Sequence, residues 1–420
     1  MKVALIGLGA GMECLIPEAR HAAMEADLLI GAPRLLALAQ RAFPDDGEHS
    51  PEFRQEIWPG RIADLLLEKR DAWADKNIAL LYSGDTGFYS GAGSFLKELE
   101  KRVPGSTDPQ SSLNEDTLGF SLTVFPGISS IQMLSAAIRR PWQNWTLVSA
   151  HGRDCDPAGE LRLGRDTFFL TGGRTGAQKL CRDLCDAGLG EQRVWVGENL
   201  GMNEEKITSS YCRDAAETEF SPLAVVLVEG VRDVFPVMGI PDNAFIRGQV
   251  PMTKREVRLC AVSKMQAAPE ETIWDVGAGT GSVSVELARQ AKGGAVYAIE
   301  RKEEACSLIL KNRRKFHLTN MHLVRGEAPD ALHDLPEPDA VFIGGSDGTI
   351  REIIREAVRR NPEVRIVFTG IVLETVSEGL EVLRDLGRDP EAMQVAVSRS
   401  RSVRGCHMML AENPVYVISG

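Results

Sequence analysis

A carboxylate and three glycines at fixed spacing carry the clearest chemical signal in this chain. Asp275-Val276-Gly277-Ala278-Gly279-Thr280-Gly281 ends the short apolar run 273–276. It leads into residues 282–291, where Val283, Val285, Leu287 and Ala288 are interspersed as on a packed helix. A second apolar run, 295–299, ends in Glu300. Glycines let a backbone turn tightly and approach a ligand closely. A carboxylate about 20 residues further on, at the tip of the next strand, can accept both ribose hydroxyls of a nucleoside. A dinucleotide site wants G-x-G-x-x-G, with the pyrophosphate on the helix N-terminus. Here the spacing is G-x-G-x-G, and Asp275 stands beside the turn. A carboxylate there would repel a pyrophosphate and suits the ammonium group of an amino-acid tail. The alternative is an ordinary strand-turn-helix in some other α/β protein.

In order and spacing these residues resemble the nucleoside-binding half of a class I S-adenosylmethionine (SAM) methyltransferase. The resemblance implies cofactor contacts from Thr253, Asp275, Gly277, Ala278, Gly279, Thr280, Gly281 and Glu300, and from the backbone around Ala328. Glu327 stands where the family often has Asp, which weakens a side-chain role there.

The N-terminal half carries a different set of glycine turns. Gly7-Leu8-Gly9-Ala10-Gly11 follows the first apolar run, with Met12 where a dinucleotide loop needs its third glycine. Ser83-Gly84-Asp85-Thr86-Gly87-Phe88-Tyr89, Phe125-Pro126-Gly127-Ile128-Ser129-Ser130, His151-Gly152-Arg153 and Leu170-Thr171-Gly172-Gly173 each follow a strand-like run. In this order they resemble the tetrapyrrole (precorrin) methylase family, which binds SAM between two α/β lobes. Ala10 and Thr86 stand where that family has proline, which bears on loop stiffness more than on chemistry. The resemblance implies cofactor contacts from Gly84, Asp85, Thr86, Gly127, Ser129 and Leu170, and substrate contacts from His151 and Arg153.

The resemblance narrows further. His151-Gly152-Arg153 and Leu170-Thr171-Gly172-Gly173 look like the subfamily that methylates C5 of a corrin precursor. Gly239-Ile240-Pro241-Asp242-Asn243, Pro251-Met252-Thr253-Lys254, Phe342-Ile343-Gly344-Gly345-Ser346, Leu373-Glu374-Thr375 and Asn413-Pro414-Val415-Tyr416 look like the partner enzymes that methylate C15 and decarboxylate the C12 acetate. Joined, they resemble the bifunctional precorrin C5,15-methyltransferase (decarboxylating) family of cobalamin biosynthesis. That resemblance implies a small-molecule tetrapyrrole substrate, two SAM sites per chain, no metal and a homo-oligomer.

Methyl transfer from a sulfonium to an electron-rich carbon rests largely on orientation and exclusion of water. No strong base is obligatory, in keeping with the lack of a Ser-His-Asp or Cys nucleophile pattern. A polycarboxylated substrate calls for converging cations. Arg399, Arg401 and Arg404 cluster with His407 near a strand end, and strand alternation places Arg399 and Arg401 on one side. Arg247 and Lys254 are further candidates for substrate carboxylates. Glu374, Arg399, Arg401 and His407 are the catalytic candidates. A solvated basic patch is the alternative for the arginines, a helix-dipole partner for Glu374, and a satisfied structural histidine for His151.

These residues need several elements to position them, and 420 residues imply two domains. Residues 3–6, 28–30, 78–82, 122–125 and 147–150 read as strands of a first α/β unit. Residues 167–170, 193–196 and 224–228 read as strands of a second, starting near residue 166. Residues 104–119 read as a polar loop or a locally disordered insertion. The proline-marked segment 236–252 reads as a linker, separating domain 1–235 (lobes about 1–160 and 161–235) from domain 253–420. Residues 273–276, 295–299, 321–324, 339–343, 364–368, 393–398 and 415–418 read as strands of the last domain, its final one antiparallel. The expected fold class is α/β: an N-terminal two-lobed tetrapyrrole-methylase fold plus a C-terminal seven-stranded Rossmann-like class I methyltransferase.

Composition excludes other classes. No apolar run reaches the length of about 18 residues that a membrane span requires, and no signal-peptide pattern precedes the first strand. The eight cysteines are scattered, and Cys181 and Cys185 at C-x-x-x-C spacing read as core packing. A reduced, cytoplasmic protein is expected. A net charge of −11 disfavours a general nucleic-acid binder. The competing reading, a nucleic-acid methyltransferase with an N-terminal recognition domain, lacks the [Asn/Asp]-Pro-Pro-[Tyr/Phe] motif where Phe342-Ile343-Gly344-Gly345 stands. No Cys follows a Pro, as a cytosine-C5 enzyme would require. A non-catalytic protein with one decayed methylase lobe is opposed by the Gly84-Asp85 and Pro126-Gly127 motifs.

Overall fold

The computed structural model describes residues 1–9, 11–42, 50–103, 113–151, 155–173, 175–232 and 235–420. Ala10, Arg153 and most of the 104–119 insertion lie outside them. Within that insertion, Asn114 accepts from the Thr117 N–H at 2.9 Å and caps a short helix, Glu115–Leu118, where only loop was expected.

Among the described residues, three large sheets and one hairpin carry the chain. In the first, β1 (Lys2–Gly7), β2 (Leu28–Gly31), β3 (Glu52–Gln55), β4 (Asn77–Tyr82) and β5 (Ser121–Phe125) are ordered β3-β2-β4-β1-β5, with every pair parallel. Parallel strands are covered on both faces, so β2 and β4 are continuous apolar runs. In the second sheet, β6 (Thr146–Ser149), β7 (Thr167–Leu170), β8 (Arg193–Glu198), β9 (Lys206–Tyr211) and β10 (Ala224–Val228) are ordered β6-β7-β10-β8-β9. Only β6 and β7 pair in parallel there. The expectation that β6 closes the first unit is corrected: it pairs with β7, so the second lobe begins before residue 150.

The third sheet comprises β11 (Thr272–Val276), β12 (Ala295–Glu300), β13 (Met321–Arg325), β14 (Ala340–Ile343), β15 (Arg365–Gly370) and β16 (Glu391–Val395), with one more strand at the end of the chain. β17 (Ser398–Val403) and β18 (Cys406–Ala411) form a separate antiparallel hairpin with every residue exposed. β19 (Val415–Ser419) then returns to the sheet, whose order is β13-β12-β11-β14-β15-β19-β16. β19 runs antiparallel to both of its neighbours. The seven expected strands are present, but the run 393–398 is divided between β16 and the hairpin.

The segment read as a linker is packed into the C-terminal core. Ile240, Ala244, Phe245 and Met252 are buried there. Arg258, fully buried, donates to Glu286 at 2.7 Å, to Asp242 at 3.1 Å, to the Thr253 carbonyl at 2.7 Å and to the Ile240 carbonyl. Its guanidinium lies 4.7 Å from the centre of the Phe245 ring. Glu286, also fully buried, accepts from the Gly239 and Ile240 N–H groups at 2.9 and 3.0 Å. A buried charge persists only when paired and hydrogen-bonded, and here both partners are. The expected boundary at residue 253 therefore falls inside a packed unit.

The two halves of the chain also touch directly. Arg162 donates to the carbonyls of Phe316 and His317 at 3.4 and 3.1 Å, just past the end of helix Glu303–Lys315. A guanidinium at a helix C-terminus meets the negative end of its dipole. His317 Nδ1 lies 2.9 Å from the Ala187 carbonyl, and the Thr319 hydroxyl donates to Asp156. Cys181 and Cys185 lie on helix Ala177–Asp186 and pack in the core of the second lobe. Among the described residues, no helix is long and apolar enough to cross a membrane.

Candidate active sites

The five parallel strands β11 to β15 all end at one edge of the third sheet. β19 runs the opposite way, so its start meets the end of β16 at that same edge. A cavity of about 950 Å³ runs along it, with a wall from each of these strand ends.

Backbone geometry explains the glycines. Gly277 has φ 71°, and a Cβ there would sit 2.5 Å from the Gly345 carbonyl oxygen of the loop after β14. Gly279 has φ 58°, with the Pro251 carbonyl 3.2 Å from where a Cβ would be. Both conformations strain an L side chain. The Thr280 hydroxyl belongs to a cavity-lining residue only 1% exposed and has no hydrogen-bond partner among the described residues, so it can serve a ligand. Glu300 also lines the cavity. It accepts from the N–H groups of Gly279, Arg301 and Lys302, each at 2.9 Å, which fixes its carboxylate at the strand tip.

Asp275 is placed differently from the expectation. It is fully buried and is not among the cavity-lining residues. One of its oxygens accepts from the Ser284 hydroxyl on helix Ser282–Gln290, and the other is buried without a partner among the described residues. Burial pushes its carboxyl up to about 7; the hydrogen bonds to Ser284 oppose the rise and the nearby Glu300 charge adds to it. The physical reason is that β11 is central and covered on both faces, so a side chain within it meets packed neighbours.

Of the other expected C-terminal residues, Thr253, Lys254, Gly277, Ala278, Gly279, Thr280, Glu300 and Ala328 line the cavity. Gly281 lies behind the turn as the N-cap of helix Ser282–Gln290. Arg247 is exposed and away from the lining. Glu374 is exposed in the first turn of helix Leu373–Asp385, and its neighbour Thr375 lines the cavity instead. Arg399 is engaged by Glu256 and by Glu412, the latter at 2.8 Å. Arg401 pairs across the hairpin with Met408, and Ser402 with His407, so Arg401 and His407 project from opposite faces. The arginines expected to converge with His407 therefore share a hairpin with it, but Arg399 and Arg401 face away from it.

Other residues were not anticipated. Arg301 bridges Glu327 and Asp347, both at 2.7 Å, and all three line the cavity. Their sequence signal is position alone: each follows the C-terminal end of a parallel strand, where open α/β sheets bind ligands.

The N-terminal glycines converge at the ends of β1, β4 and β5. A Cβ on Gly127 would meet the carbonyl oxygens of Gly7 and Gly84, both at 2.4 Å. A Cβ on Gly7 would meet the Gly84 carbonyl at 2.7 Å. Asp85 accepts from the Gly87 and Gly127 N–H groups at 3.2 and 3.4 Å, and the Thr86 hydroxyl donates to the Phe125 carbonyl at 3.2 Å. Ser129, buried, donates its N–H and hydroxyl to Gln132 at 2.8 and 3.0 Å. Leu170 packs with Phe88 and Phe168, and the Tyr89 hydroxyl donates to the Leu147 carbonyl at 3.1 Å, joining the two lobes. His151 is exposed, its ring so close over Gly172 that a Cβ there would be 2.1 Å from Nδ1.

Comparison with known proteins finds relatives for both halves of the chain. Residues 2–216 match the tetrapyrrole (corrin/porphyrin) methylases, and residues 243–419 match the precorrin methyltransferase domain. The chain is 42% identical to a probable cobalt-precorrin-6B C(15)-methyltransferase (decarboxylating) of Pyrobaculum calidifontis, over 43% of this chain and 94% of that protein. The chain belongs to both families. A precorrin-6Y C(5,15)-methyltransferase [decarboxylating] of Sinorhizobium sp is 28% identical over 84% of this chain and 81% of its own length. A crystal structure of precorrin-6y C5,15-methyltransferase from Geobacter metallireducens GS-15 is 38% identical, covering 44% of this chain and 96% of that one, with a TM-score of 0.42.

Proposed function

We propose that this chain is a bifunctional SAM-dependent C-methyltransferase acting on a reduced tetrapyrrole in cobalamin biosynthesis. The N-terminal domain adds a methyl at C5. The C-terminal domain adds one at C15 and removes the acetate carboxyl at C12. The observation that carries this reading is the C-terminal cavity, with a glycine cradle and a strand-tip carboxylate at one end and an apolar wall at the other. The Sinorhizobium relative, whose name joins the two activities, aligns over most of this chain.

The residues present suit SAM. Gly277 and Gly279 leave the space that a Cβ would fill, Glu300 offers a fixed carboxylate to ribose hydroxyls, and the unpartnered Thr280 hydroxyl faces the same ligand. When bound, SAM supplies an electrophilic methyl on a sulfonium. The chain's own task is to hold that donor over the middle strands β11 and β14 and the acceptor carbon over β15, β19 and β16. The apolar side chains of Val395, Val397 and Val415 keep water from the acceptor half. Lys254, at the start of helix Arg255–Met265, offers its ammonium to a substrate carboxylate. Loss of CO2 leaves an electron pair that the conjugated macrocycle absorbs as it takes up a proton elsewhere. In the N-terminal domain we assign the second SAM site to Gly84, Asp85, Thr86, Gly127, Ser129 and Leu170, and a substrate contact to His151; the resemblance gives Arg153, outside the described residues, the same role.

Titration calorimetry tests the two-site reading. Two SAM sites per chain are expected, and Gly279→Arg should abolish only one. A single site in the wild type would overturn it.

A further inference from the structure

The acceptor half of the cavity has a rim that the fold leaves uncovered. Ile371 and Val372, between β15 and the next helix, and Leu373, the first residue of that helix, are 63%, 56% and 65% exposed. Ile371 and Val372 line the cavity. Gly370, just before them, is packed tightly against the helix that follows, since a Cβ there would meet Val376 Cγ2 at 2.7 Å. Scattered apolar side chains on a surface need no explanation, but three in succession at a cavity mouth mark a place for an apolar ligand surface.

Charge says which ligand surface arrives there. At the β12–β14 end of the cavity the carboxylates of Glu300, Glu327 and Asp347 outnumber two cations, Arg301, which bridges the last two, and Lys302. On the acceptor half, Glu412 shares Arg399 with Glu256. Lys254 lines the cavity as the N-cap of a helix that packs against β15 and β19, the strands of that same half. With carboxylate in excess at the donor end and the Lys254 ammonium beside β15 and β19, a polycarboxylated ring is favoured at the acceptor half. Its faces are flat and apolar, and its carboxylates sit around the edge.

We propose that Ile371, Val372 and Leu373 form the platform on which one face of the macrocycle rests, and that this loop sets acceptor specificity at the C-terminal site. The proposal rests on reading that site as a tetrapyrrole C15-methyltransferase. Lys254 fixes the ring's rotation on the platform by pairing with one edge carboxylate. SAM affinity is independent of the loop, because the donor occupies the other half.

The test uses the full chain with Ile371→Asn, Leu373→Asn and the double variant, and measures kcat and KM for C15 methylation, KM for C5 methylation and the SAM Kd. The C15 KM should rise about tenfold for each single variant, the scale of a lost apolar pocket contact, and further for the double. The C5 KM, the SAM Kd and the unfolding temperature should hold, since the replaced side chains are mostly in water. A C15 KM within twofold of wild type would overturn the platform. An equal loss of SAM affinity would also overturn it, because the loop would then belong to the donor half. If variants with unchanged KM elute as smaller species, the face belongs to a second copy of the chain instead. A wild-type chain that adds no methyl at C15 would remove the underlying reading, and the platform with it.

Discussion

The N-terminal and C-terminal glycine edges solve one problem by opposite means. At the ends of β1, β4 and β5, Gly7, Gly84 and Gly127 lock backbone against backbone, with almost no side chain between them. At the end of β11, Gly277 also meets a neighbouring loop, but the surrounding walls are held by buried and bridging charges: Arg258 with Glu286, Arg301 with Glu327 and Asp347. The first edge depends on the absence of atoms and the second on paired ones. Substitutions should therefore fail in different ways at the two ends.

The largest expected effect is at Arg258. Arg258→Met leaves Glu286 buried without its cation and should destabilise the C-terminal domain by about 3–5 kcal/mol. Denaturant titration should show that loss, and a double variant with Glu286→Met should regain most of it. If the double is as unstable as the single, the pairing is not what holds this wall.

Asp275 comes next. Its carboxyl is raised in the folded state from 3.8 to about 7. The folded chain thus binds this proton more tightly than the unfolded chain does. The associated stability is complete below the unfolded value and is lost as pH rises through the folded one. A loss on the order of 4 kcal/mol is expected across that window. Asp275→Asn should flatten it, so an unchanged pH profile would exclude Asp275 as the source.

At the N-terminal edge, Gly127→Ala adds one methyl group where two carbonyl oxygens already stand 2.4 Å away. Misplacing the loop by that much should weaken N-terminal SAM binding by about a hundredfold. The C-terminal site should be untouched in the same calorimetric titration. A variant retaining both sites would show that the interlock can relax.

How much of this was legible in the sequence divides along the same line. The strands β11, β12, β14 and β15 could be read because buried parallel strands are unbroken apolar runs. β3 and β9 could not, since edge strands such as Glu52–Gln55 and Lys206–Tyr211 are polar and show no such run. The sheet to which β6 belongs is a matter of pairing, which an apolar pattern does not encode. The glycine cradle was readable because a positive φ restricts residue type. Asp275 was recognised as a carboxylate beside the turn, but its direction depends on the layer packed over it. Arg399 looked free because Glu256, its partner, lies 143 residues away in the chain.

The contact of Arg162 with the carbonyls of Phe316 and His317 has a consequence for how the halves work as one molecule. Two domains joined only by a tether explore many relative orientations, and the tether supplies only a high local concentration. Here the guanidinium and the helix end it caps set the angle between the domains, while residues 236–252 are committed to the wall of one site. Cutting the chain ahead of that segment would leave two pieces that still fit each other, with an encounter that depends on dilution.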